Sequence, residues 1–426
     1  MEDLKDRLNE LQNHTNKEGS KNSSQNGSIK KQLRRLYKQK HKKPQSTKTP
    51  PIKKLKNHLG GELVGKQDKI LKVARTYSMK NYGKIDLSSI YNYSQKDYEE
   101  FLKIDNIKYP EQLLFIDTET TGLAGGTGTI AFLVGLGWIE NQRFHTLQYF
   151  LPKLERENTM LNHINEIISR FTTIVSYNGK SFDVPLLTTR FLLNRKSAEI
   201  EDYSNIDLLH LSRSLWKHST NNCQLTTIEE EKIEFYRDDD ISGELIPSVY
   251  FNFLNNRGNI ENTERIFTHN RFDIMSMLAN LILVLRGLKK TDPSGDPGED
   301  YAKGRHFRRR DKISRSIQHF KHVLEGDITE NRRMKTLMEL GSIYKKQKDY
   351  DEAIQYWQKA IKMNFPAIDP LIELAKYYEH KAKDFKRALQ HSQKALNKVN
   401  PENEKRTREI KKRINRLKRK LKKKSK

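Results

Sequence analysis

One cysteine, Cys223, stands among the 426 residues. Its solitude excludes an internal disulfide framework and a zinc site built on paired cysteines, and it fits a reducing compartment. Long apolar runs are also missing. The longest, Ile130 to Ile139, is far short of the roughly 20 residues that cross a bilayer. The N-terminus lacks the apolar core of a secretory signal. A soluble, cytoplasmic protein with no membrane span is therefore expected. Acids are scarce at both ends. Residues 1–60 hold 5 Asp/Glu against 16 Lys/Arg and residues 401–426 hold 3 against 14, so the two ends supply 22 of the net +26 charges. Residues 101–290 instead hold 24 acids against 20 bases. Such a surplus of positive charge points to a polyanion such as nucleic acid, held through the ends rather than the middle.

Composition divides the chain into five parts. Residues 1–59 form a basic tail. Leu4, Leu8 and Leu11 sit at helical spacing, but Asn13 to Pro51 is rich in Asn, Ser, Gln, Lys and Gly and too poor in apolar residues to offset ordering entropy, so disorder is expected. From residue 60 to 290, strand-like runs such as Leu113–Ile116, Ile130–Ile139 and Thr173–Tyr177 precede or alternate with helical spacing, ending in a long helix over Glu264–Leu288. The order fits a mixed central sheet flanked by helices. Residues 291–300, TDPSGDPGED, read as a linker. Residues 301–400 repeat internally. Leu340, Gly341, Tyr344, Tyr350, Ala353 and Ala360 recur as Leu374, Ala375, Tyr378, Phe385, Ala388 and Ala395, with a degenerate earlier copy from Gly304. A period of about 34 with small residues at close contacts is that of the tetratricopeptide repeat. Residues 401–426 form a basic helix whose stripe of Ile410, Ile414, Leu417 and Leu421 suits a cap on the repeats, a phosphate-tracking arm, or both.

The chemistry lies in three strings. In FIDTETTGL, Asp117 and Glu119 end an apolar strand, and period-two alternation aims both carboxylates at one spot. Two acceptor-only groups so placed call for a proton or a hard cation between them. In SYNGKSFDVPLL, Asp183 follows a strand and an Asn-Gly turn at the start of a helix. In THNRFDIMSM, His269 and Asp273 are four apart and share a helical face. Four acids suit a pair of Mg²⁺ or Mn²⁺ ions that clamp a phosphoryl displacement, and an imidazole can take the proton of the attacking water. Asp207 reads as a strand-end cap and Asp238, Asp239 and Asp240 as a solvated loop. Thr127 and Gly128 read as a hairpin turn rather than a phosphate cradle.

This ordered set of Asp-x-Glu, Asn-Gly-Lys-Ser-Phe-Asp and His-Asn-x-x-Asp resembles the DEDD 3′–5′ exonucleases of the ribonuclease-H-like superfamily. It is similar in particular to the YprB-type branch, which joins that domain to tetratricopeptide repeats. GLAGGTGTIAFLVGLG, IDLLHLSRSLW and RDDDISGELIPSVY also look like that branch. The resemblance implies that Asp117 bridges two metals, that Glu119 and Asp273 hold the metal that activates water, and that Asp183 serves the second metal, largely through water. It implies His269 as general base, Thr120, Thr121, Gly122 and Leu123 against the terminal nucleotide, and Asn178 in support of the second motif. One departure stands out: the family's histidine subtype keeps its base five residues before the last Asp, where this chain has Thr268. The expected partner is DNA or RNA, with a protein partner open to the repeats. The rival readings are a nucleic-acid-binding protein without catalysis and an adaptor whose repeats recruit a protein.

Overall fold

The computed structural model describes residues 51–104, 107–122, 128–290, 295–363, 368–400 and 402–424. They fall into two compact units. The first takes the described residues up to Arg213 together with Asn222–Lys289, and the second takes Ser214–Asn221 and the residues from Lys290 onward.

The first unit is built on nine strands, β1 (Glu62–Val64), β2 (Ile70–Ser78), β3 (Asn81–Tyr82), β4 (Ile85–Asp86), β5 (Leu113–Thr120), β6 (Ala131–Glu140), β7 (Arg143–Phe150), β8 (Thr173–Ser176) and β9 (Ser204–Asp207). Seven form one mixed sheet in the order β1-β2-β7-β6-β5-β8-β9, and β3 and β4 pair separately. The strands from β1 to β5 run antiparallel, and β8 and β9 continue parallel from β5. Its longer helices are α1 (Pro51–Leu59), α2 (Gln95–Leu102), α3 (Glu157–Ile168), α4 (Asp183–Leu193), α5 (Leu208–Trp216, whose residues from Ser214 count with the second unit), α6 (Ile246–Leu254) and α7 (Ile260–Lys289). Leu113 to Ile116 are buried to the last few per cent, which is why β5 begins as an unbroken apolar run rather than an alternating one.

Two boundaries differ from expectation. The unordered tail was expected to reach residue 59, yet Pro51–Leu59 is helical, because Leu55 and Leu59, one turn apart, are buried in the core of the sheet unit. The expected linker 291–300 contains a helix start. Asp296 accepts hydrogen bonds from the N–H groups of Gly298 and Glu299, and Pro297 occupies the first turn. Proline and acid there are helix-initiating chemistry rather than loop chemistry.

The second unit stacks three helical hairpins, α8 (Pro297–Arg309) with α9 (Ile313–Glu325), α10 (Glu330–Lys346) with α11 (Tyr350–Ile361), and α12 (Ile368–His380) with α13 (Phe385–Lys398), followed by α14 (Glu404–Lys424). The repeated small residues are the contact points. A Cβ at Gly341 would lie 2.4 Å from Trp357 Nε1, and Ala353, Ala360, Ala388 and Ala395 are fully buried. Ile410 and Ile414 of α14 join Leu371, Ala395 and Val399 in one cluster, so α14 caps the array while Lys411, Lys412, Lys418 and Arg419 stay exposed. Buried Glu379 draws Arg413, Arg416 and Lys420 to within 2.9 Å. Burial opposes its charge, but hydrogen bonds from Arg416 and Lys420 prevail and hold its carboxyl down at about 2.

Candidate active site

β5 alternates as its sequence demands. Thr118 and Thr120 are buried, and Asp117 and Glu119 lie half-buried on the other face. Asp117 pairs with Gly135 and Phe115 with Gly137 on β6. A Cβ on Gly135 would lie 2.1 Å from Asn270 Oδ1, and one on Gly137 would lie 2.4 Å from Ile274 Cγ2. Two bare positions on one strand face thus let α7 lie directly on the sheet. That brings Asn270 to Asp117, with Nδ2 donating to Asp117 Oδ2 at 2.7 Å. Gln148 on β7 orients the amide, donating from Nε2 to Asn270 Oδ1 and to Phe267 O, each at 2.8 Å.

His269 and Asp273 come from the same helix. His269 Nε2 is 3.6 Å from Asp273 Oδ2, and the ligand atoms of Glu119, His269 and Asp273 all lie within 4.8 Å of one another. Asp183 is buried at the start of α4, where Thr118 Oγ1 donates to its Oδ1 at 2.5 Å. The turn before it needs its Asn-Gly. Asn178 has φ +65°, and a Cβ on Gly179 would lie 2.5 Å from Ser176 Cβ and 3.0 Å from Asp183 Oδ2. Asp207 ties this turn down by accepting the N–H groups of Asn178, Lys180 and Leu209 at 3.0–3.3 Å, which makes it the expected cap. The side chain of Asn178 is exposed. Thr120 Oγ1 donates to Gly122 O at 2.9 Å, and Thr121 Oγ1 accepts the Ile130 N–H at 3.0 Å, so both hydroxyls are spent inside the turn. Leu123 and Thr127 lie outside the described residues.

Residues 114–283 match the RNase_H superfamily, and residues 335–364 match the tetratricopeptide repeat. Over 315 residues the chain is 33% identical to the uncharacterized protein YprB of Bacillus subtilis (strain 168), covering 72% of this chain and 75% of that relative. The chain belongs to the YprB family of the ribonuclease-H superfamily.

In this YprB-family chain the acidic triplet 238–240 departs from the expected solvated loop. Asp239 does pair outward with Arg265 at 2.5 Å. Asp240 turns inward, its two oxygens 2.9 and 3.0 Å from His269 Nδ1. Arg237, nearly buried, donates to both oxygens of Glu229 at 2.6 and 2.7 Å, to Asp240 at 2.9 Å, and to Asp273. One guanidinium therefore links two carboxylates beside the histidine to a third, Glu229, that is 1% exposed.

The electrostatics follow from crowding. Burial, then the charges of Asp273, Glu119 and Asp183, drive the carboxyl of Asp117 well above its ordinary range. Burial lifts Glu119 to about 8 despite the nearby His269, and lifts Asp183 to about 6 despite the Thr118 hydrogen bond. For His269 burial disfavours charge, but the Asp240 hydrogen bond and the carboxylates of Asp273 and Glu119 outweigh it and carry the imidazole to about 9. Asp240 is held below its ordinary value by His269 and Arg237 in spite of burial. Asp117, Glu119 and Asp183, crowded until burial and mutual charge raise all three, form with Asp273 a donor set that fits a hard divalent metal.

Proposed function

We propose that this protein is a metal-dependent 3′–5′ exonuclease, hydrolysing phosphodiester bonds at nucleic-acid 3′ ends. The observation that carries the reading is the close convergence of Glu119, His269 and Asp273 with Asp117, which feels the charges of Glu119, Asp273 and Asp183. Membership of a superfamily whose members usually hydrolyse phosphodiesters supports it.

In this reading Asp117, Glu119, Asp183 and Asp273 would hold two Mg²⁺ or Mn²⁺ ions. Ions bound there would acidify a water and offset charge on the phosphoryl oxygens. His269 would receive the water's proton at Nε2 once bound cations offset the carboxylate charges of Asp273 and Glu119 that otherwise carry its imidazole to about 9. Its Nδ1 faces the Asp240 carboxylate, which fixes the tautomer and the ring plane. Asn270 holds Asp117 against rotation. Thr120, Thr121, Gly122 and Leu123 form the edge against the terminal nucleotide, and Asn178 shapes the turn that delivers Asp183.

The test uses single strands labelled at the 3′ or the 5′ end, with Mn²⁺ or with chelator. Immediate release of 3′ label, a shortening ladder from the 5′ label, and loss of both in chelator and in Asp117→Ala are expected. Identical behaviour of wild type and Asp117→Ala would sink the enzyme reading.

A further inference from the structure

Within the second unit, α10, α11, α12 and α14 border an open groove of about 280 Å³. Four cations line it, Lys345, Lys376, Lys381 and Arg413, against one carboxylate, Glu373. Lys345 and Lys376 share Glu373 at 2.6 Å each, and Arg413 is held by Glu379 at 2.6 Å. Lys381 is exposed, its Nζ 5.6 Å above the Tyr350 ring. The aromatics are continuous. Tyr350 and Tyr377 have centroids 5.4 Å apart, Tyr377 and Tyr378 5.3 Å, and the Arg387 guanidinium lies 5.6 Å over Tyr378.

The repeat itself explains Tyr350 and Tyr378, which occupy its recurring aromatic positions. It does not explain Lys381, which is exposed, and Tyr377 falls outside the recurring set, packing one part of its ring on the Ala353, Trp357 and Leu374 cluster and leaving the rest accessible. Rings alternating with cations are what a single nucleic-acid strand uses: bases stack on the rings while phosphates meet Lys and Arg. An acidic peptide would use the cations but not the accessible ring faces. The charge of the whole unit agrees. It holds 39 Lys/Arg against 19 Asp/Glu, whereas residues 101–290 are net acidic.

We propose that this groove between the second and third hairpins and the last helix binds a single-stranded segment of nucleic acid, by base stacking on Tyr350 and Tyr377 and phosphate contacts to Lys376 and Lys381. The inference deepens the exonuclease reading and rests on its substrate class, giving the polymer a holding site on the repeats.

Binding is measured by fluorescence anisotropy of a labelled 20-nucleotide oligothymidylate with the full chain in chelator, so that hydrolysis plays no part. Lys376→Glu with Lys381→Glu should raise Kd at least tenfold and flatten the log–log salt slope by about 1.4, at about 0.7 per lost phosphate contact on a single strand. Lys394→Glu with Lys398→Glu, an equal charge change at exposed positions of α13, should change Kd less than threefold. Tyr377→Leu should weaken the oligonucleotide by roughly 5- to 150-fold, the loss of one stacked base, and leave an abasic strand of the same length unaffected. Equal weakening by both charge pairs would overturn the proposal. So would an abasic strand that binds as tightly as the oligonucleotide, or polyglutamate that competes as well as unlabelled strand, the latter assigning the groove to an acidic protein. The expected binding pattern without hydrolysis in Mn²⁺ would instead reject the exonuclease and leave the groove standing.

Discussion

Stripping divalent cations should make the sheet unit lose stability as pH rises, and returning them should restore most of it. Folding without a cation lifts Glu119 from an ordinary 4.5 to about 8 and Asp183 from 3.8 to about 6, and raises Asp117 as well. A group raised on folding contributes stability that is complete below its unfolded value and disappears as pH climbs through the folded one. His269, raised from 6.5 to about 9, acts in the same direction over a higher window. Between pH 6 and 8 folded Glu119 keeps a proton that the unfolded chain has released. At about 1.4 kcal/mol per proton per pH unit, this one carboxyl removes roughly 2–3 kcal/mol across the interval. Mg²⁺ offers the carboxylates a cation in place of protons, so its stabilising effect should grow by a comparable amount from pH 6 to pH 8. Urea melts in chelator and in Mg²⁺ measure both. The chain has three tryptophans, and replacing Trp216 and Trp357 by Phe leaves Trp138, buried on β6, to report on the sheet unit alone. Glu119→Gln fixes the neutral form and should flatten the profile. Stability that stays level from pH 6 to 8 in chelator, or a Mg²⁺ gain no greater at pH 8, would refute the reasoning.

Three further outcomes follow from the same contacts. Asp240→Asn should lower kcat at least tenfold with little change in KM, because it removes the carboxylate that orients His269 while leaving the four acids in place; steady-state hydrolysis of a 3′-labelled strand measures both. Arg237→Gln strands the buried Glu229 without its cation and should cost about 3 kcal/mol in a urea melt of the sheet unit. Gly135→Ala drives a methyl group into Asn270 and should cost about 1–3 kcal/mol, with weaker Mn²⁺ binding by calorimetry because Asn270 holds Asp117.

The parts of the site that were legible are those whose geometry is local. Asp117 and Glu119 needed only strand alternation, His269 and Asp273 only the helical repeat, and Gly341 with its alanines only a period of 34. Arg237 and Asp240 were not legible. They sit on an irregular stretch after a short π-helix, Glu229–Ile233, and meet partners 29 to 36 residues away. An acidic triplet without periodicity looks the same whether it faces water or a histidine. A lone arginine preceding it was the available clue, since three acids beside one cation invite a bridge. Asn270 left a clearer trace: an amide on the fully buried side of an apolar helix needs partners, and the two glycines of VGLG at spacing two marked the face it approaches.

The amides Gln148 and Asn270 act together as a one-way sentence in hydrogen bonds. Phe267 O can only accept, so it fixes Gln148 with its nitrogen toward the helix. That nitrogen then claims Asn270 Oδ1, and only the Asn270 nitrogen remains to face Asp117. Neither amide can be turned over without setting like against like. One lone pair of Asp117 Oδ2 is thereby always met by a donor, which leaves the other oxygen and the second lone pair of Oδ2 to a cation. Asn270→Asp, which changes almost no volume, would keep the bond from Gln148 and break the one to Asp117, where acceptor would face acceptor unless a proton stayed behind. The donor that meets Asp117 is thus fixed two strands away, across β6, at a glutamine on β7 that hydrogen-bonds to none of the acids.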